Sequence, residues 1–166
     1  MGKLERMKSK IFTWPEMKRR SAMWHLLGKK IVFTNGCFDI LHLGHIEYLA
    51  KAADLGDFMI IGLNSDESVR KLKGDHRPFN NENARAMVLA SLIFTGAVVI
   101  FNEETPYEMI KMIQPDILVK GSEYQIEEIA GHDIVLSNGG KVITIEMTPG
   151  YSTTSLIEKI SQTLKK

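Results

Sequence analysis

The sequence predicts an α/β fold, in which a parallel, five-stranded, Rossmann-like sheet carries helices on both faces. The first observation is alternation, because short runs of β-branched and aliphatic residues are separated by longer segments with helical spacing. The second is that these runs are apolar along their whole length, which is typical of strands buried on both faces. The third is size, since 166 residues that are 44% hydrophobic suit one globular domain.

The predicted elements follow one another regularly. Thr13 is a suitable helix cap, Pro15 and Glu16 suit a first turn, and Gly28 ends that helix. The predicted strands are residues 31–33, 58–61, 97–101, 117–119 and 142–145, and the predicted helices between and after them are residues 46–55, 83–94, 105–113, 126–137 and 152–164. We therefore expect residues 1–28 to form an N-terminal arm and helix, and residues 29–166 to form the α/β domain, as a single domain overall.

Composition excludes several classes of protein. The formal net charge is +1, so no bulk positive field marks a nucleic-acid-binding protein. No apolar run approaches the roughly 20 residues that a membrane helix needs, and the N-terminus lacks the apolar core of a signal peptide. Cys37 is the single cysteine, so no internal disulfide forms. We expect a cytoplasmic protein without a membrane or nucleic-acid partner.

The most informative stretch follows the first strand and runs from Thr34 to His45. Gly36 permits a tight turn, and Gly44 leaves open space between His42 and His45. The segment then enters a helix, whose N-terminal amides attract anions. A bare His-x-x-His pair is more often a metal site or a surface coincidence. Zinc would need further ligands, and because the other three histidines are scattered along the chain, phosphate binding is the favoured interpretation.

This stretch resembles the G-x-F-D-x-x-H-x-G-H signature of the cytidylyltransferase-like nucleotidyltransferases in order, spacing and strand–loop–helix setting. From about residue 29 to residue 160 the chain also resembles one branch of that superfamily, the bacterial heptose 1-phosphate adenylyltransferases of ADP-heptose and lipopolysaccharide synthesis. The finer resemblance rests on three segments: Asn35-Gly36-Cys37-Phe38-Asp39, Val119-Lys120-Gly121 and Gly150-Tyr151-Ser152-Thr153-Thr154. It implies the nucleotidyltransferase variant of the α/β fold and an adenylyltransferase domain at residues 29–166.

The resemblance also implies roles for the residues of the motif. His42 and His45 would be catalytic, contacting the triphosphate and steadying the α-phosphate during attack. The turn residues would line the entry of the nucleotide, at Thr34, Gly36, Phe38 and Gly44. Asp39 is interpreted as a structural acceptor for loop amides rather than a base, and Cys37 as a small packed residue rather than a nucleophile.

Two basic positions are predicted to complete the catalytic set. By composition alone, residues 71–78 are a solvated, charged loop after the second strand. The family has functional lysines in this loop, and Lys73 is the best match, with Lys71 and Arg77 as weaker ones. Arg85, at the start of the next helix, would otherwise be a solvent-facing arginine; the resemblance implies that it reaches the phosphates, where cations stabilise developing charge.

The remaining nucleotide-binding candidates follow the fourth strand and open the last helix. Lys120 is equally consistent with a solvated strand end, whereas Gly121 would allow close approach of the backbone. A helix cap explains Ser152 alone, but the hydroxyl run continues beyond what a cap requires. We therefore assign nucleotide binding to Lys120, Gly121, Tyr151, Ser152, Thr153 and Thr154. Glycerol-3-phosphate cytidylyltransferases have an arginine just before the matching glycine, where this chain has residues 147–149 without one.

The resemblance implies transfer of AMP from ATP to a sugar 1-phosphate, with D-glycero-β-D-manno-heptose 1-phosphate as the expected acceptor. Mg²⁺ would arrive with the triphosphate, and we predict no dedicated metal ligands. A sugar kinase on a separate chain would supply the acceptor, and the apolar helix at residues 14–27 predicts a homodimer. Two alternatives remain, namely a cytidylyltransferase acting on a polyol or aminoalcohol phosphate and a non-catalytic nucleotide-binding module.

Overall fold

Helices and strands alternate along the chain largely as the sequence predicts. In the computed structural model, which describes residues 1–164, the helices are α1 (Lys3–Lys8), α2 (Trp14–Leu26), α3 (Leu43–Ala53), α4 (Asp66–Lys73), α5 (Glu82–Ser91), α6 (Tyr107–Ile113), α7 (His132–Ser137) and α8 (Thr153–Leu164). The strands are β1 (Ile11–Phe12), β2 (Ile31–Gly36), β3 (Phe58–Asn64), β4 (Ala97–Phe101), β5 (Ile117–Gly121) and β6 (Lys141–Ile145). A short 3-10 helix, Ile126–Glu128, precedes α7.

All strands are parallel and form one sheet in the order β1-β4-β3-β2-β5-β6. β2 is central, and its Val32 lies opposite Met59 of β3 on one side and Ile117 of β5 on the other. The strand order reverses between β3 and β5, on the two sides of β2. In open α/β sheets a ligand binds beyond the carboxyl ends of the strands at such a reversal, so the fold directs attention to the loops after β2 and β5.

The core has two apolar layers, one on each face of the sheet. Neighbouring strand residues point to opposite faces, so Phe33 packs in the layer beneath α2 and α6 while Val32 packs in the layer beneath α3 and α5. Trp24 of α2 stacks on Phe58 with ring centroids 4.2 Å apart. The helices on both faces were predicted, and this prediction is confirmed.

The sheet has six strands rather than the predicted five. The additional strand, β1, lies in the segment that was expected to be an unpatterned basic arm, and it pairs with the outer edge of β4. Two residues are too few to show the alternation of a strand in the sequence. This strand forms because the edge of β4 is available for pairing. Lys10 extends the pairing, because its carbonyl accepts a hydrogen bond from the Val98 amide at 2.8 Å.

Two further segments differ from the sequence-based prediction. Residues 71–78 were expected to be a loop, but residues 71–73 form the end of α4, whose cap is Ser65, which accepts from the Ser68 amide at 3.1 Å. Only Ser68 and Val69 of α4 are buried, so an apolar period is not visible in its sequence. The predicted helix over residues 126–137 is interrupted before α7, where Gly131 has a φ of +86°.

Helix α2 begins where the sequence predicts, with Thr13 as its cap and the Glu16 carboxylate accepting from the Thr13 amide at 2.8 Å. Both tryptophans are engaged within the chain, since Trp14 Nε1 donates to the Ile100 carbonyl at 3.0 Å and Trp24 packs on the sheet. Because both tryptophans make contacts within the chain, they do not support an interface with a second copy. The homodimer stays a prediction. Within residues 1–164, no helix is both long and apolar enough to cross a membrane.

Candidate active site

A cavity of about 430 Å³ opens at the carboxyl ends of the strands, where the strand order reverses. Every strand from β2 to β6 contributes to its wall through the segment that follows it. The lining side chains and backbone belong to residues 35–39, His45, Tyr48, Asn64, Leu72, Lys73, Arg77, Glu104, Lys120, Gly121, Glu123, Tyr124, Met147, Thr153 and Thr154. Most of the residues predicted to bind the nucleotide or to act on it are therefore brought to one place.

The two motif histidines form a stacked pair at the start of α3. His42 occupies the cap position and His45 the first turn, and their ring centroids lie 3.9 Å apart with an interplanar angle of 24°. A side chain at Gly44 would meet the His42 ring at 3.2 Å and the Cβ atom of Tyr151 at 3.3 Å. Gly44 thus keeps the helix start close to both groups, and only His45 of the pair lines the cavity.

Both imidazoles are neutral in the free protein. Burial lowers the pKa of His45 to about 4, with His42 contributing to the decrease and the nearby Ile40 backbone opposing it. Burial also lowers the pKa of His42. Among residues 1–164, neither buried Nδ1 nitrogen has a partner of hydrogen-bond geometry. An anion arriving here would favour the protonated rings, because an opposite charge stabilises the charged form.

The turn after β2 holds this pair in place. Phe38 has a φ of +43°, a conformation that side chains rarely adopt and that clusters at functional sites. Its ring packs in a T-shaped arrangement with the His45 ring, with centroids 5.4 Å apart. A Cβ atom at Gly36 would lie 3.0 Å from the Phe38 ring. Gly36 is therefore needed for the close approach of Phe38, whereas Phe38 itself is 7% exposed and supports the histidine.

Asp39 is a structural acceptor, as its sequence context predicts. Its carboxylate accepts from Arg77 Nε at 2.7 Å, from the Phe79 amide at 2.8 Å and from the Asn80 amide at 3.0 Å. These bonds use both oxygens, so they fix the loop after α4 against the turn after β2. The Arg77 guanidinium also lies over the Phe79 ring, 4.9 Å from its centroid. Asp39 has no oxygen left over for a base.

Arg85 is not in the cavity, in contrast to the predicted contact with phosphate. It is 2% exposed and donates to the carbonyls of Asn80, Cys37 and Asn64 at 2.9, 2.6 and 2.9 Å. Its remaining amino group is paired with Asp66 at 2.7 Å. A guanidinium presents its donors in a fixed fork, and all three nitrogens are used here, so Arg85 connects the segments that form the wall.

Thr34 is also displaced from its predicted place. It is fully buried, and its hydroxyl is hydrogen-bonded to the Tyr48 hydroxyl at 2.8 Å, so it does not reach the wall. Tyr48, which the sequence analysis missed, lines the cavity, and burial raises its pKa. The signal was present, because Tyr48 lies three residues after His45 and therefore on the same side of α3.

The three cations near the predicted loop have different surroundings. Lys71 pairs with Glu67 at 2.6 Å and does not line the cavity, whereas Arg77 lines the cavity while paired with Asp39. Lys73 lines the cavity and, among residues 1–164, has no ion-pair or hydrogen-bond partner within the usual distances. The ranking that placed Lys73 first therefore agrees with the geometry, although Lys73 ends α4 rather than lying in a loop.

Lys120 spans the point where the strand order reverses. It leaves β5, and its Nζ donates to the carbonyl of Asn35 at the end of β2 at 3.4 Å. The ammonium lies 5.3 Å from the centroid of the Tyr124 ring, and burial lowers its pKa to about 8. A side chain at Gly121 would collide with the Glu123 carboxylate. The structure thus places both Lys120 and Gly121 on the cavity wall.

The start of α8 closes the remaining side. Thr153 and Thr154 line the cavity, whereas the Ser152 hydroxyl accepts from the Ser155 amide at 3.0 Å and serves as a cap. Tyr151 lies outside the wall beside Gly44. The segment before α8 is joined to α3 by a short hydrogen bond from the Thr148 hydroxyl to the Glu47 carboxylate, which the sequence did not predict.

The family model described as cytidylyltransferase-like matches residues 33–159, which include the histidine pair, the loop after β5 and most of α8. The chain belongs to the cytidylyltransferase-like family. The family resemblance stated from the motif is therefore confirmed, and so is the Rossmann-like parallel sheet.

The relatives of known sequence are longer proteins. The bifunctional protein HldE of Aliarcobacter butzleri is 50% identical over 157 residues, covering 95% of this chain and 32% of that protein. HldE of Nitratiruptor is 55% identical over 136 residues, covering 82% of this chain and 29% of that protein. The chain spans about a third of the length of these relatives.

Among solved structures, a lipopolysaccharide core biosynthesis protein from Thermoplasma volcanium superposes with a TM-score of 0.59 and 26% identity, covering 73% of this chain and 98% of that one. Pantoate-β-alanine ligase from Francisella tularensis shares the fold, with a TM-score of 0.60 and 13% identity over 94% of this chain and 79% of that one.

The depressed pKa of His45 predicts a specific acid sensitivity. Below pH 6.5 the unfolded chain binds a proton on this ring, whereas the folded protein does so only near pH 4. The free energy of unfolding therefore falls as pH drops from about 6.5 to 4. Urea denaturation at pH 7.5 and pH 4.5 should show a smaller loss in His45→Gln than in the parent. The exposed His76→Gln variant is the control, and equal losses in parent and His45→Gln would contradict the prediction.

The position of Arg85 predicts a loss of stability rather than of phosphate binding alone. Arg85→Lys should lower the free energy of unfolding by about 2–3 kcal/mol, because an ammonium cannot reach all four acceptors that the guanidinium fork serves, which leaves at least one buried acceptor without a donor. Lys71→Met is the control, because it removes an exposed ion pair with Glu67. Its free energy of unfolding should change by about 1 kcal/mol or less. Urea titration measures both. An Arg85→Lys protein of parental stability whose turnover alone has fallen would instead place the guanidinium on the phosphates.

Proposed function

We propose that this chain is a nucleotidyltransferase that transfers AMP from ATP to D-glycero-β-D-manno-heptose 1-phosphate, giving ADP-heptose and pyrophosphate. The observation that carries the proposal is the stacked, neutral His42–His45 pair at the start of α3, beside a cavity with Lys73, Lys120 and the hydroxyls of Thr153 and Thr154. The similarity to bifunctional HldE proteins at about half identity supports the acceptor.

The reaction needs no covalent intermediate. An oxygen of the sugar 1-phosphate, already anionic at neutral pH, forms a bond to the α-phosphorus of ATP in line with the leaving group. The bond from that phosphorus to the β-phosphate oxygen breaks, and pyrophosphate departs with the electron pair. Positioning and charge stabilisation supply most of the rate. His45 donates a hydrogen bond to the α-phosphate oxygens, which gain charge during attack, and His42 packs behind it.

The other residues divide into two groups. Lys73 and Lys120 neutralise phosphate charge from opposite sides of β2, and the α8 start with Thr153 and Thr154 receives the triphosphate. Gly36, Phe38 and Gly44 shape the entry, and Gly121 allows the backbone to approach the base. Arg85 and Thr34 act through the segments that they fix, as positioning residues.

Mg²⁺ enters as part of the nucleotide substrate. Among residues 1–164, no group of three or more His, Cys, Asp or Glu side chains is placed to hold a metal. An ion that is bound by substrate phosphates and water needs few protein ligands. The metal would supply additional charge neutralisation on the phosphates.

The chain requires a sugar phosphate made by another enzyme activity. The HldE relatives are named bifunctional, and this chain corresponds to 29–32% of their length. We place the kinase step outside these 166 residues and the reaction in the cytoplasm, where ATP is available. A cytidylyltransferase reaction with a polyol phosphate uses the same residues and remains the second candidate, since base choice rests on backbone groups.

A pyrophosphate-release screen tests the proposed function. ATP and CTP are each combined with heptose 1-phosphate, glycerol 3-phosphate and hexose 1-phosphates. We expect ATP with heptose 1-phosphate to give the highest kcat/KM. Preference for CTP with glycerol 3-phosphate would assign the chain to the second candidate, and no release with any pair would indicate a non-catalytic nucleotide-binding module.

Replacing His45 should reduce turnover far more than nucleotide affinity. The helix amides and cations hold the ground-state triphosphate in its absence, whereas the imidazole gains most as charge builds during attack. We expect His45→Ala to lower kcat by about 10²–10³, with the ATP dissociation constant within about threefold of the parent value.

Single-turnover kinetics beside an ATP titration measure the two effects separately. His76→Ala, which alters an exposed histidine outside the cavity, is the matched control and should behave as the parent. Weak ATP binding together with a parental rate from the bound complex would make His45 a binding residue only.

A further inference from the structure

The cavity has two halves on either side of the histidine pair. Because the sheet order is β4-β3-β2-β5-β6 across this region, the segments after β5 and β6 lie on one side of His45 and those after β3 and β4 on the other. Neighbouring strands are about 4.8 Å apart, so each half extends roughly 10 Å from the centre. An in-line transfer requires such an arrangement, with the acceptor and the nucleotide meeting at the α-phosphate.

The half after β5 and β6 suits the nucleotide. Tyr124 and Met147 provide apolar surface for a base, and Gly121 exposes backbone. The start of α8 also belongs to this half. The acceptor is therefore left with the half formed by Asn64, Lys73, Arg77 and Glu104.

Two opposite charges in the acceptor half are unpaired. Asn64 is 3% exposed and already bonded to Ser68, and Arg77 is paired with Asp39. Within residues 1–164, Lys73 and Glu104 make neither an ion pair within 4.0 Å nor a hydrogen bond, although they line the same cavity. Lys73 suits the phosphate of the acceptor. Glu104 is exposed to solvent in the free protein, so a ligand hydroxyl that replaces water at this wall would donate a hydrogen bond to its carboxylate.

We propose that Glu104 is a specificity-determining residue that accepts hydrogen bonds from hydroxyl groups of the acceptor sugar. Free carboxylates accept only, and hydroxyl groups are the donors that a sugar phosphate offers. The assignment deepens the proposed function, because it rests on a polyhydroxylated acceptor. Glu103, its neighbour, is a natural comparison, since its carboxylate accepts from the Asn102 amide at 3.0 Å and does not line this cavity.

The sign of the effect separates recognition from simple electrostatics. Removing a negative charge from an anion-binding cavity should, by charge alone, tighten the binding of every phosphate ligand. Loss of a hydroxyl acceptor should weaken binding of the sugar phosphate only. A hydrogen bond to a charged group accounts for a change of about tenfold or more.

Steady-state kinetics on Glu104→Ala and Glu104→Gln, with Glu103→Ala and Glu103→Gln as matched controls, test the proposal. We expect the Glu104 variants to raise the KM of the sugar phosphate at least tenfold and the KM of ATP by less than twofold. Inorganic phosphate serves as a probe that lacks the sugar and its hydroxyl groups. Its inhibition constant should be unchanged or lower in the Glu104 variants. The Glu103 variants should resemble the parent in all three measurements.

Equal increases in both KM values, a tighter sugar phosphate, or matching effects at Glu103 and Glu104 would each overturn the proposal. The kinetics use the acceptor that the parent enzyme turns over best. If the parent is inactive with heptose 1-phosphate but active with another sugar or polyol phosphate, the proposed acceptor is wrong. The Glu104 and Glu103 variants are then compared with that other substrate. Absence of turnover with every acceptor would overturn both proposals.

Discussion

One buried guanidinium holds the active-site wall together. Arg85 is bonded to the turn after β2 through Cys37, to the end of β3 through Asn64, to α4 through Asp66 and to the loop before α5 through Asn80. Loops carry little apolar surface of their own, so buried polar contacts fix the arrangement of these segments. The hydrogen bonds from all three guanidinium nitrogens fix the relative positions of these segments. The carboxylate of Asp39 likewise fixes the loop after α4 against the turn after β2.

The electrostatics of the cavity follow from burial. Both imidazoles are neutral, and the ammonium of Lys120 has a pKa of about 8, because desolvation disfavours charge. Arg77 is already compensated by Asp39. The two histidines thus add no positive charge to the free cavity, and a phosphate ligand would supply the opposite charge that favours their protonation.

The thiol of Cys37 shows the same influence of burial with a different consequence. It lies on the cavity wall, and burial raises its pKa despite several nearby cations. A thiol with a raised pKa is a poor nucleophile at neutral pH. Its interpretation as a packed residue agrees with an in-line reaction that requires no covalent intermediate.

Parallel-sheet geometry explains why much of the site was predictable. Ligand-binding residues of such sheets follow the strands, so Lys73, Lys120 and Thr153 could be predicted to lie at one cavity although they are far apart in sequence. The errors also have a physical pattern. β1 exists because an edge of β4 is available, and α4 is polar on most of its surface, so neither has a period that sequence reveals.

The sequence by itself determined five of the six strands, the caps at Thr13 and Ser152, the glycine between the histidines and the acceptor role of Asp39, because periodicity and turn chemistry act over a few residues. The tertiary structure decided which side chains remain free to meet a ligand. Arg85 is hydrogen-bonded to a carbonyl 48 residues away, and Thr34 to a tyrosine 14 residues away. The order of the strands, by contrast, places Glu104 at the cavity. Such pairings depend on packing between distant segments, and no local pattern encodes them.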